Sequence, residues 1–268
     1  MVERSQLFLY IPIFSFALIL SACTSVAVQT PYPQIDTPMV PGKTTFGFGF
    51  NGESGRRVEY SSDAASRPPD WGVQRVESIN DFTHSLMLGL WSRLQLGAQY
   101  GFFTNMPMAT AKIQLLGDPR LTAKKGSFAL AAFGRGGWQV NRESGNQKIQ
   151  FGPGGFPWSS IAKLGVMGYG ASLGVMAGEK FMLFAGGARD EYRSSAQITQ
   201  EPANDGSDSG AVYSTSAKGY ATSAGGGFSV GRVFVFNASF MSTHFVWEAH
   251  APIDAFSVTA GFEVFILN

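Results

Sequence analysis

The chain has 268 residues, of which 20 are basic and 19 acidic, giving a formal net charge of +1. So weak a field, with no local basic run, excludes a nucleic-acid partner. Charged residues make up only 15%, well below the roughly 25% of ordinary soluble domains, while Gly reaches 33 and Phe 23. Something other than water is therefore expected against much of the surface, and the single cysteine, Cys23, excludes an internal disulfide.

Residues 1–22 read as a secretory signal, with Arg4 in a short polar start, an apolar run from Leu7 to Leu20 and the small pair Ser21-Ala22. The run is shorter than the roughly 18 to 20 residues that cross a bilayer as a helix, so its removal is expected. The junction Leu20-Ser21-Ala22-Cys23 resembles the lipobox of bacterial lipoproteins. That resemblance implies cleavage before Cys23 and acyl chains on it. With Thr24 following, it also implies sorting to the outer membrane. Residues 23–42 hold Pro31, Pro33, Pro38 and Pro41 and no sustained period, which predicts a lipidated, extended tether. Residues 43–268 are enough for one β barrel, a domain that often runs to roughly 200 to 250 residues.

From Thr44 onward the hydrophobic period is two. Phe46, Phe48 and Phe50 alternate with Gly47 and Gly49, and Leu94, Leu96, Ala98, Tyr100 and Phe102 with Gln95, Gly97, Gln99 and Gly101. Near the C-terminus Phe234, Phe236, Ala238 and Phe240 share a face, as do Phe256, Val258, Ala260, Phe262, Val264 and Ile266. A soluble sandwich would carry Lys, Glu and Thr on the opposite face. Here that face is mostly Gly, Ser, Ala and Gln, which suits the crowded lumen of a narrow barrel whose exterior meets lipid. The segmentation predicts about ten strands, within a range of eight to twelve, near 44–60, 81–92, 94–104, 109–117, 126–140, 160–177, 181–199, 211–229, 232–248 and 254–267. Tight connections at 92–93, 178–180 and 231 alternate with long ones at 61–80, 141–159 and 200–210. The 118–126 connection is long for its side and that at 104–108 short.

The whole region resembles small Gram-negative outer-membrane β-barrel proteins, which implies an all-β, antiparallel, up-and-down transmembrane barrel with short periplasmic turns and long outer loops. The chain ends Phe265-Ile266-Leu267-Asn268, without the terminal aromatic residue usual in that class. Trp91, Trp138, Tyr192 and Trp247 fall near strand ends, where an interfacial girdle would place them.

Gly227-Phe228-Ser229-Val230-Gly231 matches the nucleophile elbow G-x-S-x-G, but an alternating strand follows where a helix is required, so a hairpin is expected. Gly168-Tyr169-Gly170 and Gly225 to Gly227 likewise open no helix, and no cofactor is expected. His84, His244 and His250 lack metal-ligand spacing. Ser242 and His244 share a strand face and imitate the Ser/His pair of outer-membrane acyl hydrolases, with no carboxylate partner assignable. Arg189, Asp190, Glu191 and Arg193 read as a solvated rim. Lys112, Arg135, Lys163 and Glu263 are the charges of interest, because the alternation puts at least Lys112 and Glu263 on the small-residue face. There an unpaired charge is costly. Gln95, Gln99, Lys112, Gln114, Asn237 and Glu263 are the polar residues predicted to face the lumen.

The function expected is that of a non-enzymatic, lipid-anchored outer-membrane barrel serving as a surface scaffold or a narrow pore. Its partners are membrane lipid, at Cys23 and around the barrel, and a small solute in the lumen. The principal alternative reverses the faces, making a periplasmic lipoprotein barrel or sandwich that binds an apolar ligand among inward Phe and Leu. An outer-membrane acyl hydrolase is the third class.

Overall fold

The computed structural model describes residues 25–42, 45–62, 71–149, 156–200 and 212–267. Its elements are all strands: β1 Ser25–Pro31, β2 Thr45–Ser62, β3 Trp71–Trp91, β4 Leu94–Gly101, β5 Met106–Leu116 and β6 Phe128–Ile149, then β7 Phe156–Met176, β8 Phe181–Gln200, β9 Val212–Val230, β10 Phe234–Trp247 and β11 Ile253–Leu267. From β2 to β11 each strand pairs antiparallel with the next, and β11 returns to pair with β2. The result is a closed, ten-stranded, up-and-down barrel. Closure removes the unpaired edges that a sheet otherwise exposes. It is sealed by backbone pairing from Ala260↔Gly52 to Leu267↔Thr45, and the Phe50 and Phe262 rings stack across that seam at 6.0 Å.

All ten barrel strands fall where the alternation predicts them. The hairpins β2–β3 and β6–β7 run farther, so the expected loops 61–80 and 141–159 are largely strand. Polar, glycine-bearing stretches such as Asn141 to Gly145 give no hydrophobic period, yet the ladder with β7 continues through them. The tight β9–β10 turn places Gly231 at a φ of 112°, a conformation that favours glycine, and the elbow-like motif is a hairpin.

The larger departure is β1. The tether expected at 23–42 does not hang outside the fold over its described residues. Instead residues 26–42 are almost entirely buried within the ring. β1 pairs with the outer half of β2, from Ser25↔Ser61 to Pro31↔Gly55, on the edge that β11 occupies lower down. The buried positions of β2 change parity there, from Thr45 and Glu53 to Val58 and Tyr60. β1 touches β6, β7 and β8, and β3 touches β9, so these outer halves lie across the mouth.

Two apolar clusters hold the threaded segment. Toward the mouth Val26, Val28 and Tyr32 pack with Leu164, Tyr192, Phe245 and Trp247. Toward the other end Ile35 and Met39 pack with Met176, Met182, Phe184 and Met241. Each such side chain contributes on the order of 1.5 to 3 kcal/mol of gross burial energy. Tyr192 and Trp247, expected in an interfacial girdle, belong to this core and are each 1% exposed, whereas Trp91 and Trp138 do point outward.

Candidate functional site

A barrel of about eight strands is just filled by its own side chains. Ten strands with a small lining leave room for one extended chain, and residues 25–42 take that room. Glycines of the wall leave room for the side chains of the segment. A Cβ on Gly186 would lie 2.9 Å from Ile35 Cγ2, and one on Gly174 would lie 2.9 Å from Pro38 Cγ. The bare inner face is thus the seat of a plug.

A dry lumen requires a partner for each main-chain polar group. The four prolines reduce that demand by removing N–H donors. Wall side chains meet much of the rest. Asn141 Nδ2 donates to the Ala27 carbonyl at 2.8 Å, and the Gln29 N–H donates to Gln139 Oε1 at 2.9 Å. The Tyr192 hydroxyl donates to Pro31 O at 2.6 Å, and Arg135 Nη2 to Tyr32 O at 2.7 Å. Lower down, Lys112 Nζ donates to Thr37 O at 3.2 Å and pairs with Asp36 at 3.1 Å. The Val40 N–H donates to Gln114 Oε1 at 3.0 Å, while Val40 O accepts from the Arg120 N–H at 2.8 Å.

Two buried cations, Lys112 and Arg135, carry ion pairs, which offset their desolvation. Arg135 forms a salt bridge with Asp190, both nearly inaccessible. This divides the expected charged rim, for Asp190 points inward while Arg189 and Glu191 pair outside at 3.6 Å. Lys163 is also outside. Arg120, from the long β5–β6 connection, enters the lumen and donates from Nη1 to Ser229 Oγ at 2.6 Å. Burial pulls its guanidinium below its ordinary value, opposed by the attraction of Glu263 and Asp36. Arg232 donates to Leu121 O and Ala123 O, holding that connection across the end of the barrel.

Of the polar residues predicted to face the lumen, Gln95, Gln99, Lys112, Asn237 and Glu263 line one cavity of about 90 Å³, and Gln114 grips Val40 as described. Ser85 Oγ, Gln99 Oε1 and Asn237 Oδ1 border it without a protein partner. The space suits a few waters rather than a solute of any size. Cys23, the signal and Asn268 lie outside the described residues.

The outer wall is the second feature. Its outward positions alternate along β2 from Phe46 to Gly52, β6 from Phe128 to Val140, β7 from Gly165 to Val175, β10 from Phe234 to Ser242 and β11 from Phe256 to Ile266. None is Lys, Arg, Asp or Glu. The same holds on β3 from Phe82 to Leu90, where His84 sits against the Phe50 ring at 4.9 Å. Along β11 this band spans about 33 Å at roughly 3.3 Å per residue, or about 25 Å at a tilt of about 40°. Exposed charges resume at both limits, with Arg93, Lys124 and Lys180 at the tight-turn end and Arg142, Lys163 and Asp254 toward the loops. On β8 the uncharged run is shorter, Phe181 to Gly187, because Arg189 and Glu191 point outward opposite Tyr169 and Met167. Phe234 is 63% exposed and Phe256 71%, so the reversed-face alternative, with Phe pointing inward, is overturned.

At the loop-side limit His244 Nδ1 meets Asp254 Oδ1 at 2.7 Å, a carboxylate partner that only cross-strand register reveals. Ser242 makes no hydrogen bond with His244 among the described residues. Clusters of His, Cys, Asp or Glu suited to a metal are likewise absent among the described residues.

No family model matches the chain. No curated protein matches it either. Among solved structures it is similar to Ail, the attachment invasion locus protein of Yersinia pestis, at 12% identity, covering 83% of this chain and 98% of that one with a TM-score of 0.31. A likeness that distant says nothing about what this chain binds or does.

Proposed function

We propose that this chain is a non-enzymatic, lipid-anchored outer-membrane β-barrel protein that acts as a surface scaffold, its lumen closed by its own N-terminal segment. The uncharged outer wall carries the reading. Its height of about 25 Å equals the apolar band of outer-membrane barrels, and a surface of exposed Phe, Leu and Val that continuous would be an aggregation hazard in water. Support for a scaffold over a narrow pore comes from the threaded segment, whose side chains and backbone partners occupy the space a solute would need.

Single cysteines at Phe236 and Ser239 test the membrane reading. A lipid-phase probe is expected to label residue 236 and not 239, and purified protein that stays dispersed without detergent would overturn it. Cys23→Ser is expected to impair sorting or assembly more than retention, because the wall itself holds the protein in the bilayer. Complete release of that variant into the soluble fraction would defeat the proposal.

A further inference from the structure

We infer that the barrel lumen conducts the N-terminal end of the mature chain to the loop-bearing mouth, so that acyl chains on Cys23 enter the outer leaflet at the cell surface. This rests on the lipid-anchored barrel reading above. Lipid on an outer-membrane lipoprotein would ordinarily be sought on the periplasmic side, close to where the first barrel strand begins. The geometry points the other way.

β2 starts at Thr45 on the tight-turn end and ends at Ser62, at the opposite end of the barrel. Ser25 pairs with Ser61 at that far end. The sixteen steps from Thr45 to Ser61 cover about 50 Å of strand at roughly 3.3 Å each, on the order of 40 Å of height at a tilt of about 40°. The apolar band is only about 25 Å tall, so Ser25 stands beyond its upper limit. Cys23 is two residues farther along.

The segment cannot slide back while its contacts hold. Backbone bonds to Tyr192, Arg135 and Gln114 fix it at Pro31, Tyr32 and Val40, and Val26 and Val28 are buried against the wall at 1% and 0% exposure. Lipid tied to residue 23 is therefore held at the mouth, on the side where Arg142, Lys163 and Asp254 rim the barrel. Reaching the opposite leaflet would require the lumen to empty.

The test uses the full chain in a Gram-negative host. A short epitope is placed between Thr24 and Ser25, and in separate variants after Gly178 in the β7–β8 turn and after Asp205 in the β8–β9 loop. Thr24→Cys, read with a membrane-impermeant maleimide, supplies a smaller probe should the epitope disturb folding. Heat-modifiable gel mobility verifies that each variant folds, and alkyne-palmitate labelling of the wild type against Cys23→Ser reads lipidation independently. The expected result is palmitate on Cys23 with residue 24 stained on intact cells as strongly as the β8–β9 loop, the β7–β8 turn staining only after permeabilisation. Palmitate incorporation with residue 24 reached only after permeabilisation overturns the inference and leaves the lipid-anchored barrel standing. Absence of palmitate from the wild type overturns the anchor reading itself, and the placement of its lipid with it.

Discussion

Arg135 on β6 donates from Nη2 to the main-chain carbonyl of Tyr32, at 2.7 Å and across 103 positions of sequence. The same guanidinium is paired with Asp190 on β8. One buried cation thus ties the threaded segment to two strands of the wall. Arg135→Ala would leave Asp190 buried without its counter-ion, a change that costs about 3 to 5 kcal/mol. The barrel of this variant should lose its heat-modifiable mobility at a lower temperature than the wild type, and protease should cut within 25–42 more readily. Unchanged behaviour in both measurements would mean that this pair does not hold the segment.

Gly186 faces Ile35 with no room for a side chain, since a Cβ would also lie 2.4 Å from the Ala171 carbonyl. Gly186→Val should therefore shift the wall or displace the segment, at a cost of about 1 to 3 kcal/mol. Single-channel recording in planar bilayers reads the second effect. Wild-type protein is expected to stay silent, and the variant to open intermittently.

The outer wall makes a prediction about the solvent rather than the fold. Phe262 lies near the middle of the uncharged band, and Phe262→Arg should destabilise the barrel in a bilayer by about 2 to 4 kcal/mol. Lys163→Leu, beyond the band, should change little. Urea-dependent folding into liposomes compares the two variants directly, and equal effects would remove the membrane assignment.

The His244 and Asp254 pair at 2.7 Å looks toward catalysis, but Ser242 does not bond to His244. An exposed hydrogen-bonded pair of this kind contributes about 0 to 1 kcal/mol. Ser242→Ala and His244→Ala are each expected to leave cellular lipid composition and barrel stability close to wild type. Altered acyl-chain composition in either variant would reinstate the acyl-hydrolase reading.

How much of this was legible in the chain depends on the range of the interaction concerned. Phe46 and Phe48 against Gly47 and Gly49, or Phe256 and Val258 against Ser257, announce an outer and an inner face because a strand's side chains alternate residue by residue. That local rule was enough for ten strands, for the outward faces and for the inward course of Gln95, Lys112 and Glu263. It was silent on Tyr192 and Trp247, whose positions near strand ends look the same whether the ring meets an interface or a core.

Residues 25–42 mark the boundary. Their prolines and missing period are those of a tether, and nothing within the segment names its partners. Those partners lie 74 residues away in the Val40 bond to Gln114 and 161 in the Pro31 bond from Tyr192, on strands that come together only when the barrel closes. The alternating sequence by itself determined a barrel with an apolar exterior and a small-residue lumen, because pattern and pleat share a period of two. Only the tertiary structure decided what fills that lumen and at which mouth the N-terminal end emerges, because a threaded chain is held by contacts that no local period encodes.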